Sequence, residues 1–259
     1  MDLGIAGKRA LVCASSAGLG KACAISLSSE DVEVWINGRD AERLEAAAIE
    51  IENLTGRRPH TILADVDTAE GRAAVLAACP APDILVCNSG GPKPGRLEEW
   101  TDTVWSEAVA ATMLSPILLI QSVVGGMRER GFGRVVAITS AMVKTPRLPM
   151  ALSTGPRAGL TAFCKALAGE VAADGVTINC ILPEKVETDR LARMTRSLAR
   201  VRKVEEAEAR AEMVAGIPAG RFGRPSEVGD ACAFLCSDRA GYITGQNLQL
   251  DGGAYPGLI

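Results

Sequence analysis

The sequence predicts an α/β protein with one doubly wound parallel sheet of about seven strands, flanked by helices. Short runs rich in Val, Ile and Leu recur along the chain, and a helical stretch separates each run from the next. The runs are apolar throughout rather than alternating, which is typical of parallel strands whose two faces are both covered. Strand–helix alternation with right-handed crossovers then favours a doubly wound sheet.

Seven strands are predicted from these runs. They span residues 8–14, 32–37, 60–65, 83–88, 133–139, 176–182 and 246–251. Between the second and third strands lies a helical pattern over residues 40–54, with Asp40 placed to cap its N-terminus. No repeat, low-complexity tract or linker divides the chain, so we expect a single Rossmann-type domain over residues 1–259.

A densely charged segment at about residues 188–216 interrupts the strand–helix rhythm after the sixth strand. Its composition is helical, and it precedes the last helix–strand pair. One interpretation is a solvated helical hairpin. The other is a mobile lid, because insertions at the carboxyl ends of α/β strands cover the ligand crevice. The sequence leaves both open.

The overall charge argues against polyanionic partners. The 259-residue chain has a net charge of −3, a pI of about 5.4 and no basic run, so neither nucleic acid nor an anionic membrane surface is expected to bind. No window approaches 18 uninterrupted apolar residues, and the N-terminus leads directly into a strand. A membrane span and a signal peptide are therefore not expected.

The eight cysteines show no Cys-x-x-Cys spacing, and most lie in apolar strands or helix faces. Buried free cysteine usually behaves as a small hydrophobe, which favours a protein of the reducing cytoplasm over a metal or disulfide protein. His60 is the single histidine, so the chain cannot assemble a histidine-based metal cluster or a Ser-His-Asp triad.

A turn of small residues follows the first strand and opens a helix. Glycines at such a turn let the backbone approach a pyrophosphate, and the helix N-terminus supplies N–H donors and a positive dipole end. The residues predicted to hold the cofactor here are Ser15, Ser16, Gly18, Leu19 and Gly20.

The ends of the next three strands predict which dinucleotide binds. The second strand ends in Asn37-Gly38-Arg39, where an NAD-selective site usually carries a carboxylate. Glycine leaves room there, and Arg39 offers a fork for a 2′-phosphate with no carboxylate expected beside it, so NADP(H) is expected to be preferred over NAD(H). Further cofactor contacts are predicted at Asp65 and Val66 near the adenine, and at Asn88, Ser89 and Gly90.

These motifs resemble those of the short-chain dehydrogenases/reductases, nearest to the 3-oxoacyl-carrier-protein reductase branch. The segment 14–20 resembles that family's Thr-Gly-x-x-x-Gly-x-Gly turn, and residues 88–90 its Asn-Asn-Ala-Gly stretch. Near the C-terminus, RFGRP (221–225), YITGQ (242–246) and LDGG (250–253) are also family-like, so the resemblance covers essentially the whole chain.

The resemblance implies a nicotinamide cofactor, a small carbonyl or alcohol substrate, and a homotetramer or a homodimer. It adds Pro183, Val186 and Thr188, after the sixth strand, to the residues expected at the cofactor. The apolar C-terminal tail AYPGLI (254–259) supports association, because a monomer would bury it poorly.

The catalytic pattern of this family, Asn…Ser…Tyr-x-x-x-Lys, is only partly present. Ser140 matches the serine, but Ser153 stands at the place of the tyrosine and Arg157 at that of the lysine. Thr112 stands at the place of the asparagine, and Glu184 replaces the glycine of the Pro-Gly turn after the sixth strand. Of the four catalytic positions, only Ser140 therefore carries the residue that the family pattern has.

The substitutions rule out the usual proton transfer. A serine hydroxyl is far too weak an acid to replace a phenol at neutral pH, and Arg157 keeps a cation beside the ribose but stays charged. Lys144, four residues after Ser140, is the first candidate for the proton donor, and Glu184 or an ordered water is the second.

Two functions remain open from the sequence. The first is an NADP-dependent oxidoreductase that interconverts a carbonyl and an alcohol by a non-standard proton transfer. The second is a catalytically silent dinucleotide-binding sensor or partner subunit. Because Ser153 and Arg157 lie four apart on a predicted helix, both are expected to face the crevice near Ser140. Alternatively, Ser153 or Thr154 caps that helix, with Pro156 in its first turn.

Overall fold

The computed structural model describes residues 1–258 and contains one seven-stranded sheet in the order β3-β2-β1-β4-β5-β6-β7, with every neighbouring pair parallel. The strands are β1 (Arg9–Val12), β2 (Glu33–Gly38), β3 (His60–Leu63), β4 (Ile84–Cys87), β5 (Gly133–Ile138), β6 (Val176–Pro183) and β7 (Asn247–Leu250). The predicted fold class and all seven strands are confirmed. The strand order reverses between β1 and β4, which opens a crevice at their carboxyl ends.

Nine α-helices connect the strands in the described part of the chain. They are α1 (Gly18–Ser29), α2 (Ala41–Thr55), α3 (Ala69–Ala78), α4 (Asp102–Val109), α5 (Ser115–Glu129), α6 (Ala151–Val171), α7 (Asp189–Arg202), α8 (Glu206–Ala215) and α9 (Pro225–Cys236). Helices α1, α2 and α9 cover one face of the sheet, and α3, α5 and α6 cover the other.

The sheet carries a hydrophobic core on each face, which explains the continuous apolar runs. In β1, Leu11 packs in the core beneath α5 and α6, while its neighbour Val12 packs in the core beneath α1 and α9. Every residue of β4 and β5 is buried. Central parallel strands of this kind have no solvent-facing side, so alternation is lost.

Helix α2 begins where the sequence predicts. The Asp40 side chain accepts a hydrogen bond from the Arg43 backbone N–H at 3.0 Å, which satisfies one of the free donors of the first turn. The helix ends at Gly56, whose φ of 71° is the left-handed conformation that favours glycine at this position.

The stretch Asp102–Glu129 is long and apolar enough, with a mean hydropathy of 1.8, to cross a membrane by length and composition alone. Polar residues such as Ser115 and Gln121 interrupt the stretch, and a buried core helix meets the same criterion of length and composition. It consists of α4, a π-helical turn at Ala110–Leu114, and α5. Helix α5 buries Leu119 and Ile120 against the sheet, as a core helix does.

The charged segment after β6 folds as a helical hairpin made of α7 and α8. Leu191 and Phe222, with Ile217, form a small core between the hairpin and the chain that follows it. The hairpin is therefore packed on an apolar cluster of its own and is not solvated on all sides.

The cysteines lie inside both cores. All eight are buried with free thiols. Ile259, the last residue of the predicted domain and of the apolar tail, lies outside the described residues.

Candidate active site

The turn after β1 offers the features that a pyrophosphate requires. Ala17 is the N-cap residue of α1, and its side chain accepts no hydrogen bond from the helix. The N–H groups of Gly18, Leu19 and Gly20, in the first turn, therefore have no side-chain acceptor at the cap and are available to an anion. A Cβ on Gly20 would lie 2.6 Å from the Ala14 carbonyl oxygen, so only glycine fits. Gly18 has a φ of 57°, in the left-handed region.

Asn88, directly after β4, holds this turn in place. Its Nδ2 donates to the Ala14 carbonyl oxygen at 3.1 Å. Ala14 itself has a φ of 46°, an uncommon conformation for a residue with a Cβ, at a position where the family pattern has glycine. The turn is therefore strained and is held partly by the neighbouring strand's amide.

Ser15 is a structural residue rather than a cofactor ligand through its side chain. Its hydroxyl is fully buried, donates to the Val12 carbonyl oxygen at 2.7 Å, and accepts from the Asn37 N–H at 3.0 Å. Both hydrogen-bonding directions of the hydroxyl are thus used between β1 and β2, and the assignment of Ser15 to the cofactor stays a prediction. Ser16 is half-buried, and its Cβ and Oγ lie 3.0 Å from where a Cβ of Gly38 would be. The space left by Gly38 thus accommodates Ser16.

Arg39 has a carboxylate beside it, contrary to the sequence interpretation. Its Nη1 lies 3.5 Å from Asp65 Oδ2, with the Arg39 side chain 70% exposed. Asp65 follows β3, which pairs with β2 in parallel, so the residues after the two strands become neighbours. Next to it, Val66 is buried and its carbonyl oxygen accepts a hydrogen bond from Ser115 Oγ at 2.5 Å.

The segment after β6 closes the other side of the glycine turn. Pro183 is the last residue of β6, and Val186 is buried and bridges to Gly223. Thr188 caps α7, and its Cγ2 lies 3.7 Å from where a Cβ on Gly18 would be. Asn88, after β4, and Thr188, after β6, therefore both lie against the glycine turn that follows β1.

Arg157 projects from α6 to the ends of β4 and β5. Its guanidinium donates to Ser153 Oγ at 3.1 Å, to the Ile138 carbonyl oxygen at 2.6 Å, and to Ser89 Oγ at 3.3 Å. The side chain is 6% exposed. Burial, and then the nearby charge of Arg190, lowers the pKa of Arg157 to about 10, so the group remains charged at neutral pH.

The capping alternative for Ser153 and Thr154 is wrong. Helix α6 begins at Ala151, directly after a 3₁₀ turn at Leu148–Met150, and Met150 is its N-cap residue. Pro156 consequently lies inside the helix. The Ser153 hydroxyl is buried and accepts from the Arg157 side chain on the same helix face.

Ser140 and Lys144 flank a 3₁₀ turn that follows β5. The Ser140 hydroxyl accepts from the Met142 N–H at 3.2 Å, and Lys144 ends the turn. The Lys144 ammonium lies 5.0 Å from the centre of the Tyr255 ring, a cation–π contact with the C-terminal tail. Neither Lys144 nor Glu184 hydrogen-bonds to Ser140 within residues 1–258.

Glu184 and Thr112 are both engaged elsewhere. The Glu184 carboxylate is 12% exposed and lies 3.9 Å from Arg147 Nη2. The Thr112 hydroxyl donates to the Ala108 carbonyl oxygen at 2.6 Å, inside the helical stretch. Thr112 lies in the π-helical turn at Ala110–Leu114, a local irregularity that often occurs at functional sites and that the sequence did not indicate.

Arg190 is a site residue that the sequence analysis missed. It lies in the first turn of α7, and its guanidinium donates to the Gly90 carbonyl oxygen and, at 3.0 Å, to that of Pro92. The only signal for it was its position two residues after Thr188, in a segment where arginine is frequent. Gly90 is therefore in contact with the charged hairpin.

The chain is similar to known reductases in sequence and in structure. A family model described as enoyl-(acyl carrier protein) reductase matches residues 13–255. The 3-oxoacyl-[acyl-carrier-protein] reductase of Aquifex aeolicus is 30% identical over 259 residues, which cover 98% of this chain and 100% of that protein. The Escherichia coli protein of the same name is 33% identical over 253 residues, which cover 96% and 98%.

Solved structures show the same likeness. L-sorbose reductase from Gluconobacter frateurii, solved with NADPH and L-sorbose, matches with a TM-score of 0.94 at 30% identity, over 100% of both chains. An actinorhodin polyketide ketoreductase variant solved with NADPH matches with a TM-score of 0.89 at 31% identity, over 96% of this chain and 97% of the other.

Proposed function

Because the chain belongs to the short-chain dehydrogenase/reductase family, as an oxidoreductase related to the 3-oxoacyl-acyl-carrier-protein reductases, we propose that it binds NADP(H) and interconverts a carbonyl compound and an alcohol without a catalytic tyrosine. The observation that carries this proposal is the open N-terminus of α1, whose glycine turn meets the segments after β4 and β6.

The residues around this space fit a dinucleotide. The N–H groups of Gly18, Leu19 and Gly20 would bind the pyrophosphate, with Thr188 on its other side. Arg39 would bind the 2′-phosphate, which gives the preference for NADP(H). When bound, the nicotinamide supplies or accepts the hydride of the reaction. Two related structures solved with NADPH support this choice of cofactor.

The protein's own part in the reaction is to bind the substrate oxygen and to exchange a proton with it. Ser140 would hydrogen-bond that oxygen, and Arg157 would keep a fixed positive charge beside the ribose. Lys144 is our first choice for the proton donor, because it ends the 3₁₀ turn that Ser140 begins. Glu184 and an ordered water are the second choices.

Replacing Lys144 tests this assignment. We expect Lys144→Ala to abolish turnover while NADPH binding stays nearly unchanged, as measured by fluorescence titration. Glu184→Gln is the matched comparison. Full activity of Lys144→Ala would eliminate Lys144 and leave Glu184 or water as the donor.

The alternative, a catalytically silent dinucleotide-binding sensor or partner subunit, predicts NADPH binding without turnover. The named activities of the relatives favour the enzyme. NADPH oxidation should be screened against aldehydes, ketones and 3-oxo esters, beside a nucleotide titration. Tight NADPH binding with no oxidation of any substrate would favour the sensor, and no NADPH binding would refute both.

We further propose that the α7–α8 hairpin acts as the lid of this crevice in a single-domain protein. Its first turn already contacts both sides of the opening, through Thr188 and Arg190. The buried free thiols support a reducing, cytoplasmic location.

We propose association into a homotetramer or, failing that, a homodimer. Leu114 and Leu118, four residues apart on the helix after α4, are 44% and 40% exposed. Leu258 in the C-terminal tail is fully exposed. Exposed apolar side chains of this kind are typical of a surface that a second copy covers.

A further inference from the structure

Two arginines meet at the carboxyl end of β4 without a carboxylate for either of them. Arg157 comes from α6 and contacts two serine hydroxyls and the Ile138 carbonyl oxygen. Arg190 comes from the first turn of α7 and contacts the carbonyl oxygens of Gly90 and Pro92. All of these partners are neutral.

The two guanidinium groups face the same small region. A Cβ on Gly91 would lie 2.9 Å from Arg190 Nη1 and 3.2 Å from Arg157 Nη2. Arg190 Nη1 and Arg157 Nη2 are therefore no farther apart than the sum of these two distances. Each is a fixed positive charge, and the charge of Arg190 is the nearest one that acts on Arg157.

This arrangement is unusual for the chain. Arg134, the other buried arginine among the described residues, lies 3.7 Å from the carboxylate of Asp238. Within residues 1–258 neither Arg157 nor Arg190 forms an ion pair, although Arg157 is buried. Buried charges are normally paired, because desolvation without a counter-charge is unfavourable. The site therefore has the charge and the donors to receive an anion.

The position of the pair distinguishes two sources for that anion. A cofactor pyrophosphate would bind at the N-terminus of α1, after β1. The arginine pair instead lies over the ends of β4 and β5, next to the residues after Ile138 that include Ser140. An anion at the pair is consequently at the reacting end of the crevice.

We propose that the Arg157–Arg190 pair binds the carboxylate of the substrate, so that the compound reduced is an oxo acid and the product a hydroxy acid. The planar guanidinium fork matches a carboxylate with two parallel hydrogen bonds. This inference rests on the proposed reductase function, and it gives Arg157 a substrate contact in addition to its place beside the ribose. It assigns Arg190 as a specificity-determining residue contributed by the hairpin.

Matched acids and esters test the proposal. Pyruvate, acetoacetate and levulinate, each beside its methyl ester, should be titrated calorimetrically into the protein, free and saturated with NADP⁺ so that no reduction occurs. We expect at least one acid to bind roughly 10- to 100-fold more tightly than its ester, the range for hydrogen bonds to a charged group. Arg190→Gln should remove most of that ratio.

Arg196→Gln, an exposed arginine further along α7, is the control and should leave the ratio unchanged. Because Arg157 is buried and its loss could unfold the site, Arg157→Lys is used beside Arg190→Gln, and it should reduce the ratio less. Equal binding of acids and esters, or no acid binding at all, would overturn the proposal. So would an Arg190→Gln variant that weakens NADP⁺ alone, since the anion would then be the cofactor's phosphate.

The same variants separate this inference from the reductase function. If the esters support NADPH oxidation as well as the acids do, the inference is refuted and the reductase function stands. Acid binding that depends on Arg190, without any NADPH oxidation, would support the anion site and refute the reductase.

Discussion

Removing the Arg39 guanidinium should change the cofactor preference selectively. Arg39 lies after β2 with its side chain 70% exposed, so a contact to a 2′-phosphate would be partly screened by solvent. Charge-assisted hydrogen bonds contribute about 1.5–3 kcal/mol, and the exposure places this one at the lower end. About 1.5 kcal/mol corresponds to roughly a tenfold change in affinity.

Arg39→Gln should therefore weaken NADPH about tenfold and leave NADH nearly unchanged, and Arg39→Asp should reverse the preference. Asp65 competes with the phosphate for the same guanidinium at 3.5 Å. Because exposed ion pairs contribute at most about 1 kcal/mol, Asp65→Asn should tighten NADPH by roughly fivefold or less.

Fluorescence titration of both reduced cofactors at two salt concentrations measures these effects. The Arg39 effect should shrink as salt rises, because the contact is exposed. Arg58→Gln, at an exposed arginine that follows the C-terminal end of α2 and pairs with Glu45 and Glu52, is the control. Equal affinity of the unmodified protein for NADPH and NADH, or equal losses for both in Arg39→Gln, would refute the reasoning.

Three further changes test the turn, the altered catalytic pair and the association. Ala14→Gly should stabilise the protein by about 1 kcal/mol, because glycine adopts the φ of 46° without strain. The Tm in a thermal melt should rise by roughly 2–4 °C, and a lower Tm would contradict the strain. Ser153→Tyr with Arg157→Lys should create or raise reductase activity toward simple ketones, with Arg157→Lys alone as the comparison, provided that circular dichroism shows a folded protein. No gain in the folded double variant would argue against the alignment of these positions. Leu114→Lys with Leu118→Lys should shift the oligomer toward smaller species in light scattering, and an unmodified protein that is a 27.0 kDa monomer at micromolar concentration would contradict the proposed association.

The strands and the helix boundaries could be predicted because local patterns determine them. The fully apolar β4 and β5 require cover on both faces, and Asp40 caps α2 with its own side chain. Both signals lie within a few residues of the element that they define. The same holds for the glycine turn after β1, whose spacing alone indicates a close approach of the backbone.

The contacts that were missed depend on which strands become neighbours. Asp65 is 26 residues from Arg39 and reaches it only because β3 pairs with β2. Arg190 is 100 residues from Gly90 and reaches it only when the hairpin folds across the crevice. The position of Ser15 in the turn is visible in the sequence, whereas the inward direction of its hydroxyl is visible only in the structure.

The buried thiols provide an internal reporter of how the protein opens. Every cysteine is at most 2% exposed, and burial raises the pKa of Cys13 and of Cys79 to about 12, so the native thiols should resist alkylation. Cys23, Cys232 and Cys236 lie in the core beneath α1 and α9, and the other five lie in the opposite core. The rates at which an alkylating reagent labels the two sets, read peptide by peptide by mass spectrometry, would show whether the two faces of the sheet separate together or one before the other.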